Sequence, residues 1–206
     1  MQKVVLNGVE IEVNVEENSL FSELKESLKA ELEDQEKVIT SVKNGEEEVF
    51  QNNMDVCLAK PLSEFSEISI TAETLRDISK RLFQNGINFL NKLKEEVLRV
   101  SESFRTKSKE EAFKEFVAYI EGLQSIFELV DVLIKNPQVD FLGSVYDGRT
   151  GEIIIKDFTN LNKEVLRAQE GQDLILLADL LEYELAPALG NLAGLLGVVA
   201  EAPPRA

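Results

Sequence analysis

Residues 2–32 read QKVVLNGVEIEVNVEENSLFSELKESLKAEL, and the spacing of their apolar residues changes once along the way. Val9, Ile11, Val13 and Val15 alternate with Glu10, Glu12 and Asn14. That two-residue period puts the apolar side chains on one face of a half-buried strand. Residues 3–6 supply a partner strand. Asn7-Gly8 between them is a pair that a type I′ hairpin turn favours, because both central positions need φ > 0. Beyond Asn18 or Ser19, either of which can cap a helix, Leu20, Leu24, Leu28 and Leu32 recur every four residues.

The same pattern extends further. KVITSVKNGEEEV (residues 37–49) reads as a β-branched strand, a turn at Asn44-Gly45 and a short return. After a loop containing Cys57 and Pro61, SEISITAET (residues 66–74) alternates again through Ile68 and Ile70. The order strand, strand, helix, strand, short strand, loop, strand resembles the ubiquitin-like β-grasp fold over residues 1–73. Ubiquitin-type modifiers and the sulfur carriers that share their tail end in a free di-glycine. Here the last strand runs into TLRDISKRLF, a helical stretch with no Gly-Gly, so the expectation is a fused module and not a conjugated modifier.

Residues 74–200 read as a helical domain, with a flexible tail, EAPPRA, at residues 201–206. The first helix places Leu75, Ile78, Leu82, Leu90, Leu93, Val97, Val100 and Phe104 on one stripe. TKSKEEA then offers Ser108 as N-cap with Glu111 three residues on, a capping box. In the next helix Phe113, Phe116, Ile120, Leu123, Phe127, Val130 and Ile134 alternate steps of three and four, a seam suited to antiparallel packing. Asn136-Pro137 ends it. QVDFLGSVYDGRTGE reads as a loop with a possible short turn of helix, and its strongest turn signals are Asp147-Gly148 and Thr150-Gly151. A third helix turns Ile154, Phe158, Leu161, Val165 and Ala168 inward and stops near Gly171. The last begins near Asp173, and Pro187 is expected to kink it or split it after Ala186, since an interior proline removes a backbone bond and clashes one turn back. The fold class expected is α+β: an N-terminal ubiquitin-like β-grasp module followed by a four-helix, mostly antiparallel bundle.

Composition excludes several chemistries. The chain has 206 residues, a formal net charge of -16 and no histidine. Neither a Ser-His-Asp triad nor an imidazole base or ligand can therefore be built from it. Cys57 is the one cysteine, and its apolar context favours a small buried hydrophobe. The surface charge disfavours nucleic acid and anionic lipid, and residues 1–73 carry -11 of the total. No basic segment followed by an apolar core opens the chain, so a cytoplasmic location is expected. No cofactor is expected: Gly-rich phosphate loops are missing, the Asp140 loop fails the EF-hand pattern, and a bundle di-iron site needs histidines. The uncharged run at residues 185–200 is shorter than the ~20 residues of a membrane span.

What remains points to protein binding. Asp179, Glu182, Tyr183, Glu184 and Pro187 gather where the last helix is expected to kink, a candidate concave partner surface. Asn85, Asn88 and Asn91 form a polar stripe beside Gly86, read as an exposed face or a point of helix approach. Gly190, Gly194 and Gly197 allow close packing inside the bundle or pairing with a second subunit as a homodimer. A carboxylate-only enzyme around Asp140, Asp147, Glu182 and Glu184 is the competing class. DLLEYELAPAL (residues 179–189) resembles a stretch in the last helix of small bacterial helical proteins. RLFQNGINFLNKLKEEV (residues 81–97) resembles the opening of flagellin export chaperones, a likeness that implies binding of a partner segment along apolar grooves between helices. The expected function is thus a cytoplasmic bacterial interaction or adaptor protein that binds a protein partner through helical grooves or the β-grasp surface, with an export chaperone as the alternative.

Overall fold

The computed structural model describes residues 3–13, 15, 16, 18–49, 58–137 and 139–202. Cys57 and residues 203–206 of the tail lie outside them. The fold is mixed α+β, and the chain divides into two compact units, Met1–Ser79 and Lys80–Ala206.

Among the described residues the first unit holds a five-stranded mixed sheet with an α-helix packed on it and a short 3-10 turn at Leu62–Glu64. Strands β1 (Val4–Leu6) and β2 (Val9–Ile11) form the opening hairpin, followed by α1 (Phe21–Asp34), β3 (Lys37–Asn44), β4 (Glu47–Glu48) and β5 (Ile68–Thr74). The sheet order is β2-β1-β5-β3-β4. β1 and β5 run parallel, with Val4 opposite Ile68 and Leu6 opposite Ile70, and the other pairs are antiparallel. Both turn residues of the first hairpin have positive φ, 50° at Asn7 and 82° at Gly8. Asn7 does more than turn. Its side-chain amide donates to the Ala72 carbonyl at 3.0 Å and its carbonyl oxygen accepts from the Ala72 amide at 2.9 Å, extending the β1–β5 ladder beyond the strand. Val4, Ile68, Ile70 and Val42 pack against Phe21, Leu24, Leu28 and Leu32 of α1. Leu20 departs from the expected stripe and is 40% exposed. It precedes the helix, bridged to Pro61, and Phe21 fills the core in its place.

The second unit is helical. It is built from α2 (Leu75–Thr106, of which the first residues belong to the preceding unit), α3 (Lys109–Lys135), α4 (Gly151–Glu170), α5 (Leu174–Asp179) and α6 (Ala186–Glu201). Thr74 caps α2 by accepting from the Asp77 amide at 3.1 Å. Leu90, Leu93, Val97, Val100 and Phe104 are buried as the spacing predicts, but Leu75 and Leu82 are exposed. The capping box at Ser108 and Glu111 is present. Gly86 approaches Leu196 and Leu129 so closely that a Cβ would lie 3.2–3.3 Å from their methyls, whereas Asn85, Asn88 and Asn91 face outward.

Three features differ from the sequence reading. The stretch read as a loop contains a hairpin, β6 (Val145–Tyr146) and β7 (Arg149–Thr150), turned by Asp147 and Gly148 at φ 51° and 71°. Thr150-Gly151 is no turn there: Thr150 caps α4, and Gly151 lies where a Cβ would meet the Phe141 carbonyl oxygen at 2.0 Å. In α3 the inward residues are Ala112, Phe116, Tyr119, Leu123, Ile126, Val130 and Leu133, so Phe127 and Ile134 of the expected seam are exposed.

The third difference concerns Pro187. Helical geometry continues from Leu174 to Glu201 without a split at Ala186. The adjustment lies upstream, in a π-helical turn over Leu180–Leu185, where the Ala186 amide bonds the Leu181 carbonyl five residues back. Leucine spacing supplies a reason. Leu177, Leu181, Leu185 and Leu189 are all fully buried, at three successive four-residue steps. At 3.6 residues per turn each step drifts ~40°, so the run would wander ~120° and leave an apolar stripe ~100° wide. A wider turn takes up the drift. Its continuity also makes this helix long and apolar enough to cross a membrane by length and composition, although 44% of its most apolar window is buried within the protein.

Candidate functional site

Of the residues singled out at the end of the chain, Asp179 and Glu182 are brought together and the other three are not. The two carboxylates lie three residues apart where the π-helical turn begins, so they share a face. Arg105, near the end of α2, spans them: its guanidinium donates to Asp179 Oδ1 at 2.7 Å and also to Glu182 Oε2. It further donates to the Ser101 hydroxyl at 3.2 Å, and that hydroxyl donates to Glu182 at 3.4 Å. The hydrogen bond to Asp179, then that to Glu182, hold the Arg105 guanidinium above its ordinary value. Ser101 is buried. The arrangement is a polar clamp that fixes the widened turn to α2. Tyr183 and Glu184 lie on the exposed side of the same turn, and Pro187, just beyond it in α6, is exposed as well. Sequence reasoning missed Arg105, whose only signal was a cation near the end of α2 and a pair of acids at i, i+3 elsewhere.

The carboxylates proposed for an enzyme are placed in local roles. Asp140 accepts from the Gly143 amide at 3.0 Å and sits where a Gly143 side chain would go. Asp147 occupies a left-handed turn position, Glu182 is bound by Arg105, and Glu184 is exposed. Among the described residues no group of three or more Cys, Asp or Glu could hold a metal ion.

One buried polar pair was also unread. The Tyr119 hydroxyl donates to Asn162 Oδ1, and Asn162 Nδ2 donates to the Phe158 carbonyl at 2.8 Å. Burial pushes the Tyr119 phenol above its ordinary range. The pair joins α3 to α4 in the interior of the helical unit. The Gly194 position has a similar packing role: a Cβ there would lie 2.1 Å from the Tyr146 ring, so the hairpin uses this part of the glycine stripe within the chain.

The feature best suited to binding lies on α3. About 100° around the helix from its inner stripe, Phe113, Val117, Ile120, Gln124, Phe127, Asp131 and Ile134 form a second row. Its steps are four and three throughout, the spacing of a coiled-coil seam. Val117 is 54% exposed, Ile134 43% and Phe127 38%. An open depression on this row is lined by Ile120, Leu123, Gln124, Phe127, Glu128 and Asp131. A second groove runs between α2 and α3, floored by Phe89, Leu93, Ala118 and Gly122. Gly122 makes room there for Leu93, whose methyl would lie 2.8 Å from a Cβ.

The chain is mixed α+β, and its helical unit carries an exposed row on α3 and a polar clamp between α2 and the π-helical turn. Residues 81–194, just over half of the chain, match the family described as "Domain of unknown function (DUF8042)", and the chain belongs to that family. The matched segment takes in α3, the hairpin and the π-helical turn and leaves out the sheet. No match is found among curated proteins or solved structures.

Proposed function

We propose that this is a non-enzymatic cytoplasmic interaction or adaptor protein whose helical unit binds a partner polypeptide along the outer row of α3. The observation that carries the reading is the unbroken four-three spacing of that row together with the exposure of Val117, Phe127 and Ile134. Buried core helices do not need two such rows, and exposed apolar rows of this kind mark binding surfaces.

The sheet unit is read as a ubiquitin-like β-grasp module. Supporting this are the order β2-β1-β5-β3-β4, the parallel β1–β5 pair at its centre, and α1 packed on one face. Helices α2 to α6 are read as a four-helix, mostly antiparallel bundle, α5 and α6 counting as one helix. On this reading Leu174–Glu201 is the central helix of a soluble core and not a membrane span, in keeping with its four fully buried leucines and with Asp179, Glu182 and Glu184 along it.

The test compares capture of partners by the full chain and by a Val117→Glu, Phe127→Glu variant with a matched melting temperature. Loss of a specific partner from the variant supports the reading, and an unchanged set of partners overturns it. Capture only of unfolded secreted chains, by way of the α2–α3 groove, would favour the export-chaperone alternative.

A further inference from the structure

From the free edge of the sheet we infer that β2 takes up an extended segment of a partner protein, alternating apolar residues with lysine or arginine, as a further strand. This surface lies in the sheet unit, and the inference does not depend on the outer row of α3. β2 ends the sheet order. Which of its backbone groups are free follows from the bonding of its neighbour. β1 serves β5 with its odd-numbered residues: the Ile68 amide donates to the Lys3 carbonyl at 3.1 Å, and the Asn7 amide to the Ile70 carbonyl at 2.9 Å. Val4 and Leu6 therefore turn their backbone groups to β2, where Ile11 and Val9 stand opposite them. Glu10, opposite Val5, is left with its amide and carbonyl pointing away from the sheet. Among the described residues no strand takes them up.

The side chains decide what fits there. Val9 and Ile11 share a face with Leu6 and Val4 of the core, and Val9, 64% exposed, forms the open rim of that face. Glu10 stands on the other face. From residue 4 to residue 24 the sequence has Glu10, Glu12, Glu16, Glu17 and Glu23 and no lysine or arginine. Lys3, just before β1, is held by Glu67 at 2.8 Å. The next bases, Lys25 and Lys29, are on α1, and Lys29 pairs with Glu26 at 3.0 Å. An incoming strand thus meets apolar side chains on one face and carboxylates on the other, and a segment alternating apolar with basic residues matches both. A second copy fits poorly. Antiparallel pairing of β2 with itself about residue 10, 11 or 12 sets Glu10 against Glu10, Glu10 against Glu12, or Glu12 against Glu12, and like charges directly opposite destabilise a pair.

The test uses the full chain and short synthetic peptides followed by fluorescence anisotropy at low and high salt. One alternates valine with lysine, a second alternates valine with glutamine, and a third has the first composition with the valines and lysines in separate blocks. A fourth is the first peptide N-methylated at alternate residues, so that one of its edges cannot donate. The alternating lysine peptide is expected to bind about tenfold or more tightly than each of the others, its advantage over the glutamine peptide shrinking as salt rises. It should slow amide exchange at Glu10. Glu10→Pro, which removes the outward amide without touching a bond to β1, should abolish binding, and the methylated peptide makes the same test without altering the chain. The Val117→Glu, Phe127→Glu variant should bind the peptide as the parent does.

Equal binding of the block peptide would reduce the effect to attraction between opposite net charges and overturn the inference. Equal binding of the glutamine or the methylated peptide would overturn it too, by removing the part played by charge or by backbone pairing. So would failure of every peptide, and neither result touches the reading of α3. Loss of binding in the Val117→Glu, Phe127→Glu variant would move the site to α3. Self-association of the chain that Glu10→Pro abolishes would make a second copy the occupant and overturn the inference.

Discussion

Two runs of leucine share one spacing and meet different fates. Leu20, Leu24, Leu28 and Leu32 belong to the sheet unit, and Leu177, Leu181, Leu185 and Leu189 to the helical unit. In the first run the helix starts only at Phe21, so Leu20 falls outside it and is 40% exposed. The remaining two steps drift ~80°, which an apolar stripe ~100° wide can hold. In the second run all four leucines are fully buried, and the helix widens into a π-helical turn to keep them there. A four-residue repeat is therefore not a structure in itself. Whether the chain loses a residue to the surface or changes its pitch depends on how many of the four must reach a core.

That contrast can be broken in order of size. Leu185→Ala, in the middle of the second run, should lower stability by about 2–5 kcal/mol, read from denaturant unfolding followed by helical circular dichroism. A loss under ~1 kcal/mol would mean that the widened turn does not serve leucine burial. Removing Glu184 is the sharper experiment. It changes the leucine steps from four-four-four to four-three-four, a spacing that a regular α-helix accommodates. The expected cost is ~1 kcal/mol or less, the scale of a change on an exposed helix surface. A collapse of the helical unit on this deletion would show that the turn holds more than register.

Arg105→Gln should cost under ~1 kcal/mol, since the ion pairs are partly solvated, and its effect should fade as salt rises. Amide exchange over residues 180–185 should quicken at low salt if the clamp steadies the turn. Unchanged exchange would leave the clamp as a surface contact only. Smallest is Leu20→Ala, expected within ~0.5 kcal/mol of the parent in the same unfolding assay. A loss as large as that of Leu185→Ala would erase the distinction between the two runs.

These cases also show what sequence can and cannot carry. Turn chemistry was legible for the first hairpin, since Asn7-Gly8 needs its φ values whatever packs around it, but alternation overstated its second strand, which stops at Ile11 and leaves Val9 64% exposed. The capping box at Ser108 was legible for the same local reason. Position on a helix surface was less so. In α3 the apolar arc spans two rows, and spacing alone places a seam between them. Only packing decides that Tyr119, Ile126 and Leu133 turn inward and Phe127 and Ile134 do not. The outer row therefore escaped notice as a site. Long-range partners were not legible at all: Arg105 with Asp179 and Glu182, and Tyr119 with Asn162, lie far apart in sequence and follow no motif. The hairpin at Val145–Thr150 was hidden by strands only two residues long.

The same hairpin bears on the order in which the unit assembles. The Tyr146 ring is seated against Gly194, and the Phe141 carbonyl is seated against Gly151. The first contact joins residues distant in the chain, and we expect it to form after α4 and α6 have met. Such contacts are paid for late and contribute little to the folding transition state. Gly194→Ala should accordingly leave the refolding rate almost unchanged and hasten unfolding. The hairpin then acts as a closing latch, setting how long the helical unit stays folded more than how quickly it forms.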